Sequence, residues 1–251
     1  VFVSLVIVFG WILKAHEMTG RWILVNEANS MNLFFGNNPY TPLYKTWWFG
    51  SHEDDASNVP SAYTAMLTAI KSEPPDVRDR LYLKVALGHI VHRPDLFVVR
   101  TANRIRSYFA FDTYTGSFLI SKYSINKMLG LVVILLDALF YCTIMAAAIL
   151  QVFSLSSKSP RLGSAVLLLL MGGCYAIPYW LSFSHPTYHF PVVALFGVLA
   201  ACFAGNVAAS RKTGSPWPWA ASAKRKYSLL LVGIVFSYIQ IEWIWMMRSR
   251  I

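Results

Sequence analysis

The residues able to do chemistry gather at a few points of the 251-residue chain. His185, Tyr188 and His189 crowd into "HPTYHFP". Pro191 has a fixed φ and no N–H, which suits the first turn of a helix, so Tyr188 and His189 belong at that helix's mouth. Imidazoles placed there can hold a substrate or cap helix ends, and both readings stand. Arg100 and Arg104 lie in "PDLFVVRTANRIRSYFAF". Helical spacing puts Leu96, Val99, Ile105 and Phe109 near one face of this stretch and Arg100, Asn103, Arg104 and Ser107 near the other. Such a helix either lies flat on a membrane with its arginines toward anionic groups, or packs on the chain with its arginines solvated. Asp137 and Glu242 are ionisable residues inside apolar runs, a placement that by default suggests function. Against that default, Asp137 can face neighbouring helices and pair with a hydroxyl such as Tyr141, and Glu242 can snorkel to water. The cluster "SHEDD", with His52 to Asp55, has metal-ligand residue types but no regular element to fix their spacing, so it reads as a solvated loop and no metal is expected.

These residues sit among elements fixed by composition. Hydrophobic residues make up 56% of the chain and charged ones 14%, where a soluble domain carries about a quarter charged. The apolar residues form runs near the roughly 20 residues that a membrane-crossing helix needs. The runs are 1–15, 128–153, 163–183, 191–209 and 229–247. The first is short, with no basic leader and no small-residue cleavage site, and reads as the remainder of a span in a fragment. Seven of the 22 Lys and Arg (Lys158, Arg161, Arg211, Lys212, Lys224, Arg225 and Lys226) flank the runs in two loops, and no acidic residue occurs between Asp137 and Glu242. By the positive-inside rule these loops are cytoplasmic, and the hydrophilic stretch from His16 to Asn126 faces outward. That stretch holds eleven basic and ten acidic residues, so the net charge of +10 comes mostly from the basic loops and no nucleic-acid partner is expected. All three cysteines fall in apolar runs and read as packing residues.

The expected fold class is therefore membrane all-α: a polytopic helical bundle of about five spans with a mainly helical extracytoplasmic domain. The divisions are a truncated span at 1–15, the outer domain at 16–126 and a four-span region at 127–251. Within the outer domain "PSAYTAMLTAIKSE" suits a helix with Pro in its first turn. "PPDVRDRLYLKVALGHIVHR" suits an amphipathic helix using Val77, Leu81, Val85 and Leu87 to Ile90, ending near Arg93-Pro94. The segment "SMNLFFGNNPYTPLYKTWWFG" sets Phe34, Phe35, Tyr40, Tyr44, Trp47, Trp48 and Phe49 around a turn. Such rings favour a boundary between apolar and wet surroundings, so they are expected at the bilayer interface or on the tops of other helices.

"WILKAHEMTGRWILVNEANSMNLFFGNNP", then "ALGHIVHRPDLF", then "HPTYHFPVVALF" resemble the C-terminal half of bacterial polytopic glycosyltransferases related to protein O-mannosyltransferases and the lipid A aminoarabinose transferase. The matching residues are Trp11, Lys14, Gly20, Asn32, Leu33 and Gly36 to Pro39, and later Tyr188, His189, Phe190 and Pro191, with Thr187 where the family has Arg. The resemblance implies a GT-C fold in a bacterial cytoplasmic membrane. It implies transfer of a sugar from a polyprenyl-phosphate-linked donor to a lipid, glycan or protein acceptor on the outer side, with no further cofactor. It places the catalytic acid upstream of this sequence, so the fragment alone is expected to be inactive. His185, Tyr188, His189, Arg100 and Arg104 would hold the carrier phosphate, since a leaving phosphate needs donors where charge develops. Asn37 and Asn38 would offer amides and turn N–H groups to sugar hydroxyls or phosphate oxygens. Two other classes are compatible with the spans: a lipid-linked sugar flippase or other transporter, for which paired polar residues at mid-span would speak, and a non-catalytic membrane scaffold, which would need none of the outer motifs.

Overall fold

The computed structural model describes residues 2–20, 29–44, 59–156, 159–214 and 223–247. Among them there is no strand, and the described residues fall into two compact units. The first reaches to Leu43 and continues from Val59 to Phe97; the second takes Tyr44 and then runs from Val98 onward.

The first unit contains α1 (Phe2–Thr19), α2 (Asn29–Gly36), α3 (Ser61–Lys71) and α4 (Pro75–His92). Helix α1 continues four residues past the expected end at Ala15 and stops at Gly20, whose φ of +69° is the left-handed conformation that terminates helices; its N–H returns to His16 O at 2.8 Å. Helices α3 and α4 begin and end where their prolines dictate, with Pro75 in the first turn of α4 and Arg93 capping it ahead of Pro94. The face of α4 is the expected one in part. Leu81 and Val85 pack on the core beside the buried Tyr82 and Ala86, while Leu87 is exposed. The reason is α2, which packs on α4 and brings Phe34 against Tyr82, with ring centroids 5.0 Å apart. Phe34 also stacks on Tyr63 of α3, and Ile70 and Phe35 complete the cluster. Phe34 and Phe35 thus lie in a local aromatic core among α2, α3 and α4. Trp47, Trp48, Phe49 and the "SHEDD" cluster lie outside the described residues.

The second unit holds the rest of α5 (Pro94–Tyr108), then α6 (Tyr114–Tyr123), α7 (Lys127–Ser154), α8 (Leu162–Leu181), a 3-10 turn at Pro186–His189, α9 (Phe190–Thr213) and α10 (Ala223–Met247). Four segments, Lys127–Ser154, Leu162–Leu181, Pro186–Thr213 and Arg225–Met246, are long and apolar enough to cross a membrane. This is the architecture of an α-helical membrane protein, and the four coincide with the last four apolar runs of the sequence. Leu135, Leu136, Leu139 and Phe140 on α7 are exposed, which is what lipid-facing residues require. Inside, Tyr141 and Met145 of α7 pack beside Val193 and Phe196 of α9, and Ala148 beside Leu199. Helix α6 runs back along the start of α7. Gly116 and Gly130 face one another there, and a Cβ on Gly116 would meet Gly130 O at 2.8 Å, the close backbone approach that small residues permit.

Candidate functional site at the junction of α8 and α9

Helix α5 buries its polar face. Arg100 is 3% exposed, Arg104 1% and Ser107 1%, while Val98 on the other side is 64% exposed and Val99 is exposed too. Both sequence readings of this helix, arginines toward headgroups or solvated, are corrected by that arrangement. The physical cause is visible at Arg104, whose Nη1 donates to Leu181 O at 2.8 Å and, more weakly, to Trp180 O at 3.4 Å. These are end carbonyls of α8, which have no intrahelical donor and carry the negative end of the helix dipole. The buried cation therefore caps a span. Burial, and then the neighbouring Arg100, lower the Arg104 guanidinium from its usual value to about 9. The two guanidiniums lie one helical turn apart, so each charge opposes the burial of the other.

Beyond Tyr108 the chain leaves the helix while still buried, so its backbone groups need partners. Side chains of the spans supply them: Tyr141 OH donates to Phe109 O at 3.0 Å, Gln240 Nε2 donates to the same oxygen at 2.9 Å, and Phe111 N–H donates to Gln240 Oε1 at 2.9 Å. Tyr141 is thus engaged with Phe109, and no hydrogen bond joins it to Asp137 among the described residues. Arg106, on the side of α5 away from Arg104, forms an ion pair with Glu242 of α10. Glu242 is held by that pair, which the sequence does not reveal.

His189 is 3% exposed. Its Nδ1 donates to Tyr108 O at 2.7 Å, and its ring lies on Tyr141 with centroids 4.4 Å apart. It is a buried clamp between α5, α7 and α9. Tyr188 stacks on Tyr179 of α8 at 4.7 Å, and Tyr179 and Trp180 both pack against Tyr108. Arg104, Tyr188 and His189 thus surround one aromatic cluster. His185 faces a different group: its Nδ1 lies 2.7 Å from Thr187 Oγ1, which reaches both oxygens of Asp112 at 3.4 Å. Thr187 N–H donates to the same Nδ1 at 3.3 Å, an arrangement that leaves Nε2 to carry the ring proton.

Asp112 is not among the sequence-predicted residues. It is 3% exposed, accepts from Tyr114 N–H at 2.8 Å, and burial raises its carboxyl above the usual range against the opposing pull of these bonds. The signal for it was a lone carboxylate between Phe111 and a Thr-Tyr-Thr-Gly turn, where Asp naturally opens a helix. Thr187 thus fixes the His185 ring through Nδ1, with the Asp112 carboxylate 3.4 Å from the same hydroxyl oxygen.

Asn37 and Asn38 belong to the other unit, and their amides turn inward. Asn37 Nδ2 donates to Leu33 O and Asn38 Nδ2 to Phe34 O, each at 3.0 Å, while Asn38 Oδ1 accepts from Tyr40 and Thr41 N–H. They finish α2 and turn the chain. No group of three or more His, Cys, Asp and Glu side chains placed to hold a metal occurs among the described residues. No family model, curated protein or solved structure matches the chain.

Proposed function

We propose that the chain is the membrane-embedded C-terminal part of a glycosyltransferase of the GT-C type, which moves a sugar from a polyprenyl-phosphate-linked donor to a lipid, glycan or protein acceptor on the outer side of a bacterial cytoplasmic membrane. What supports the reading is that α5 buries two guanidiniums one turn apart, Arg100 and Arg104, with Arg104 at the end of α8. A carrier phosphate brought to that depth would gain charge-assisted hydrogen bonds. His185, held by Thr187, supplies a further donor at the same junction of α8 and α9. Tyr188 and His189 then act by fixing the cluster around Tyr108, and Asn37 and Asn38 by shaping their own turn.

The test is sugar transfer from a radiolabelled polyprenyl-phosphate donor in membranes containing the longer protein that carries the upstream catalytic acid together with this chain. Replacing Arg100 by Gln removes one charged donor, about 1.5 to 3 kcal/mol, so transfer should fall on the order of ten- to hundredfold at equal membrane abundance. Undiminished transfer by this variant would place the phosphate elsewhere, and absence of transfer by that longer wild-type protein to any acceptor class would remove the reading altogether.

A further inference from the structure

At the opposite end of the spans, the last turns of α7 and α9 and the start of α8 enclose a cavity of about 430 Å³. Its lining includes Gln151, Ser154, Ser159, Arg161, Asn206 and Ser210. Three of these form a chain with a forced direction. Arg161 Nη1 donates to Asn206 Oδ1 at 2.9 Å, and Asn206 Nδ2 donates to Gln151 Oε1 at 3.0 Å. Gln151 is 2% exposed, and its Nε2 has no hydrogen-bond partner among the described residues. The relay therefore delivers to the cavity floor a buried amide that can only donate. At the rim stands a guanidinium with unused N–H groups in a stretch of sequence without any carboxylate, since no acidic residue lies between Asp137 and Glu242. A cavity built from donors and a cation selects an anion.

The anion's remainder can be read from the adjoining surface. About two turns deeper along the same two helices, an apolar cleft of about 190 Å³ is lined by Met145, Ala148, Val152, Phe196 and Leu199. A polar donor site at a span's end with an apolar cleft beneath it matches a molecule with an anionic head and a hydrocarbon tail. We infer that this cavity binds the phosphodiester headgroup of an anionic phospholipid, its acyl chain lying in the cleft between α7 and α9. Basic pockets between spans at the positively charged end of a membrane protein are suited to such headgroups. Occupancy would hold the ends of α7, α8 and α9 together, and it is independent of the glycosyltransferase reading.

The experiment is native mass spectrometry of the purified protein released from nanodiscs of mixed phosphatidylglycerol and phosphatidylcholine, with a parallel titration by glycerol 3-phosphate. The wild type should retain phosphatidylglycerol over phosphatidylcholine, and millimolar glycerol 3-phosphate should not displace it. Arg161→Ala, a change at an exposed position, should lower phosphatidylglycerol retention by roughly tenfold or more, the loss expected for a hydrogen bond to a charged group. Gln151→Leu should lower it as well while keeping the side-chain volume. The double variant Arg211→Ala, Lys212→Ala, at residues that do not line the cavity, should retain the lipid. Equal retention of both lipids, an unaffected Arg161→Ala, or loss on the Arg211/Lys212 change alone would overturn the assignment. Displacement by glycerol 3-phosphate would overturn it too, by showing that a soluble anion suffices.

Discussion

Arg104→Met separates a cation kept for a ligand from one kept for the fold. Burial, chiefly, pushes the guanidinium down from its ordinary value to about 9. At about 1.4 kcal/mol per pH unit, holding the charge there costs about 5 kcal/mol. Methionine has a similar length and no charge, so this cost vanishes. The change also leaves the Leu181 and Trp180 carbonyls without their donor, which costs about 1 to 3 kcal/mol. The balance is a ligand-free variant more stable than the wild type by about 2 to 4 kcal/mol, in the range found when buried charges are replaced by apolar residues of similar size. The same variant should lose stabilisation by a polyprenyl phosphate. The assay is denaturant unfolding in bicelles with and without that lipid. A pH series adds a second readout. The unfolded chain keeps the Arg104 proton up to its ordinary value while the folded chain releases it earlier, so the burial cost is full below about 9 and lifts as pH rises from there toward the ordinary arginine value. Wild-type stability should therefore gain on Arg104→Met across that window. If Arg104→Met is destabilised by 2 kcal/mol or more (about the cost of a lost helix cap) and still responds to the lipid, Arg104 is a cap on α8 and the phosphate reasoning fails.

Other perturbations follow from the same geometry. His189→Ala removes a buried ring, its stack on Tyr141 and its bond to Tyr108 O, so unfolding stability should drop by about 3 to 5 kcal/mol; a folded, fully stable variant would show that the clamp is dispensable. Gly116→Ala sets a methyl against Gly130 O and should cost about 1 to 3 kcal/mol by unfolding, whereas an unchanged midpoint would mean that α6 and α7 separate freely. Glu242→Gln should destabilise by breaking the pair with Arg106, and the exchange Arg106→Glu, Glu242→Arg should recover part of the loss; no recovery would mean that the pair is not the source of the effect. Burial raises the Asp112 carboxyl above its ordinary 3.8, so the group's contribution is complete below that value and declines as pH rises through the folded value. Asp112→Asn should remove this acid-side dependence, and a stability profile identical to wild type would exclude the carboxylate as its origin.

Much of the helical framework was legible because its signals are local. Four spans follow from unbroken apolar length, and α3 and α4 from prolines that set a first turn or forbid continuation. The face of α4 was legible only in part: Leu81 and Val85 pack on the core as their spacing predicts, and Leu87 does not. Val85 and Leu87 are equally apolar, and only the arrival of α2, with Phe34 directed at Tyr82, decides which side is covered. Glu242 and Tyr141 illustrate the same limit, since their partners Arg106 and Phe109 O are 136 and 32 residues away.

Helix α5 shows why the site itself was the hardest part to read. Binary patterning assumes that the medium outside is water, so an apolar face must turn inward. Beside membrane-crossing helices the outside of the chain can be apolar, and the places that need polar side chains are internal: the last carbonyls of a span such as α8 and the irregular backbone at Phe109 to Phe111. The arginine face therefore turns toward those carbonyls, while Val98 and Val99 take the outer side. The same logic accounts for Gln240, two residues before Glu242 in a largely apolar span, since both halves of its amide are taken by the Phe109 and Phe111 backbone. Arg100 is buried one turn before Arg104 on the same helix, and each charge at that depth raises the cost of burying the other. Arg100→Gln leaves the bonds of Arg104 to the end of α8 intact, so its effect on sugar transfer set against its effect on unfolding stability separates a ligand-binding role of this helix face from a structural one.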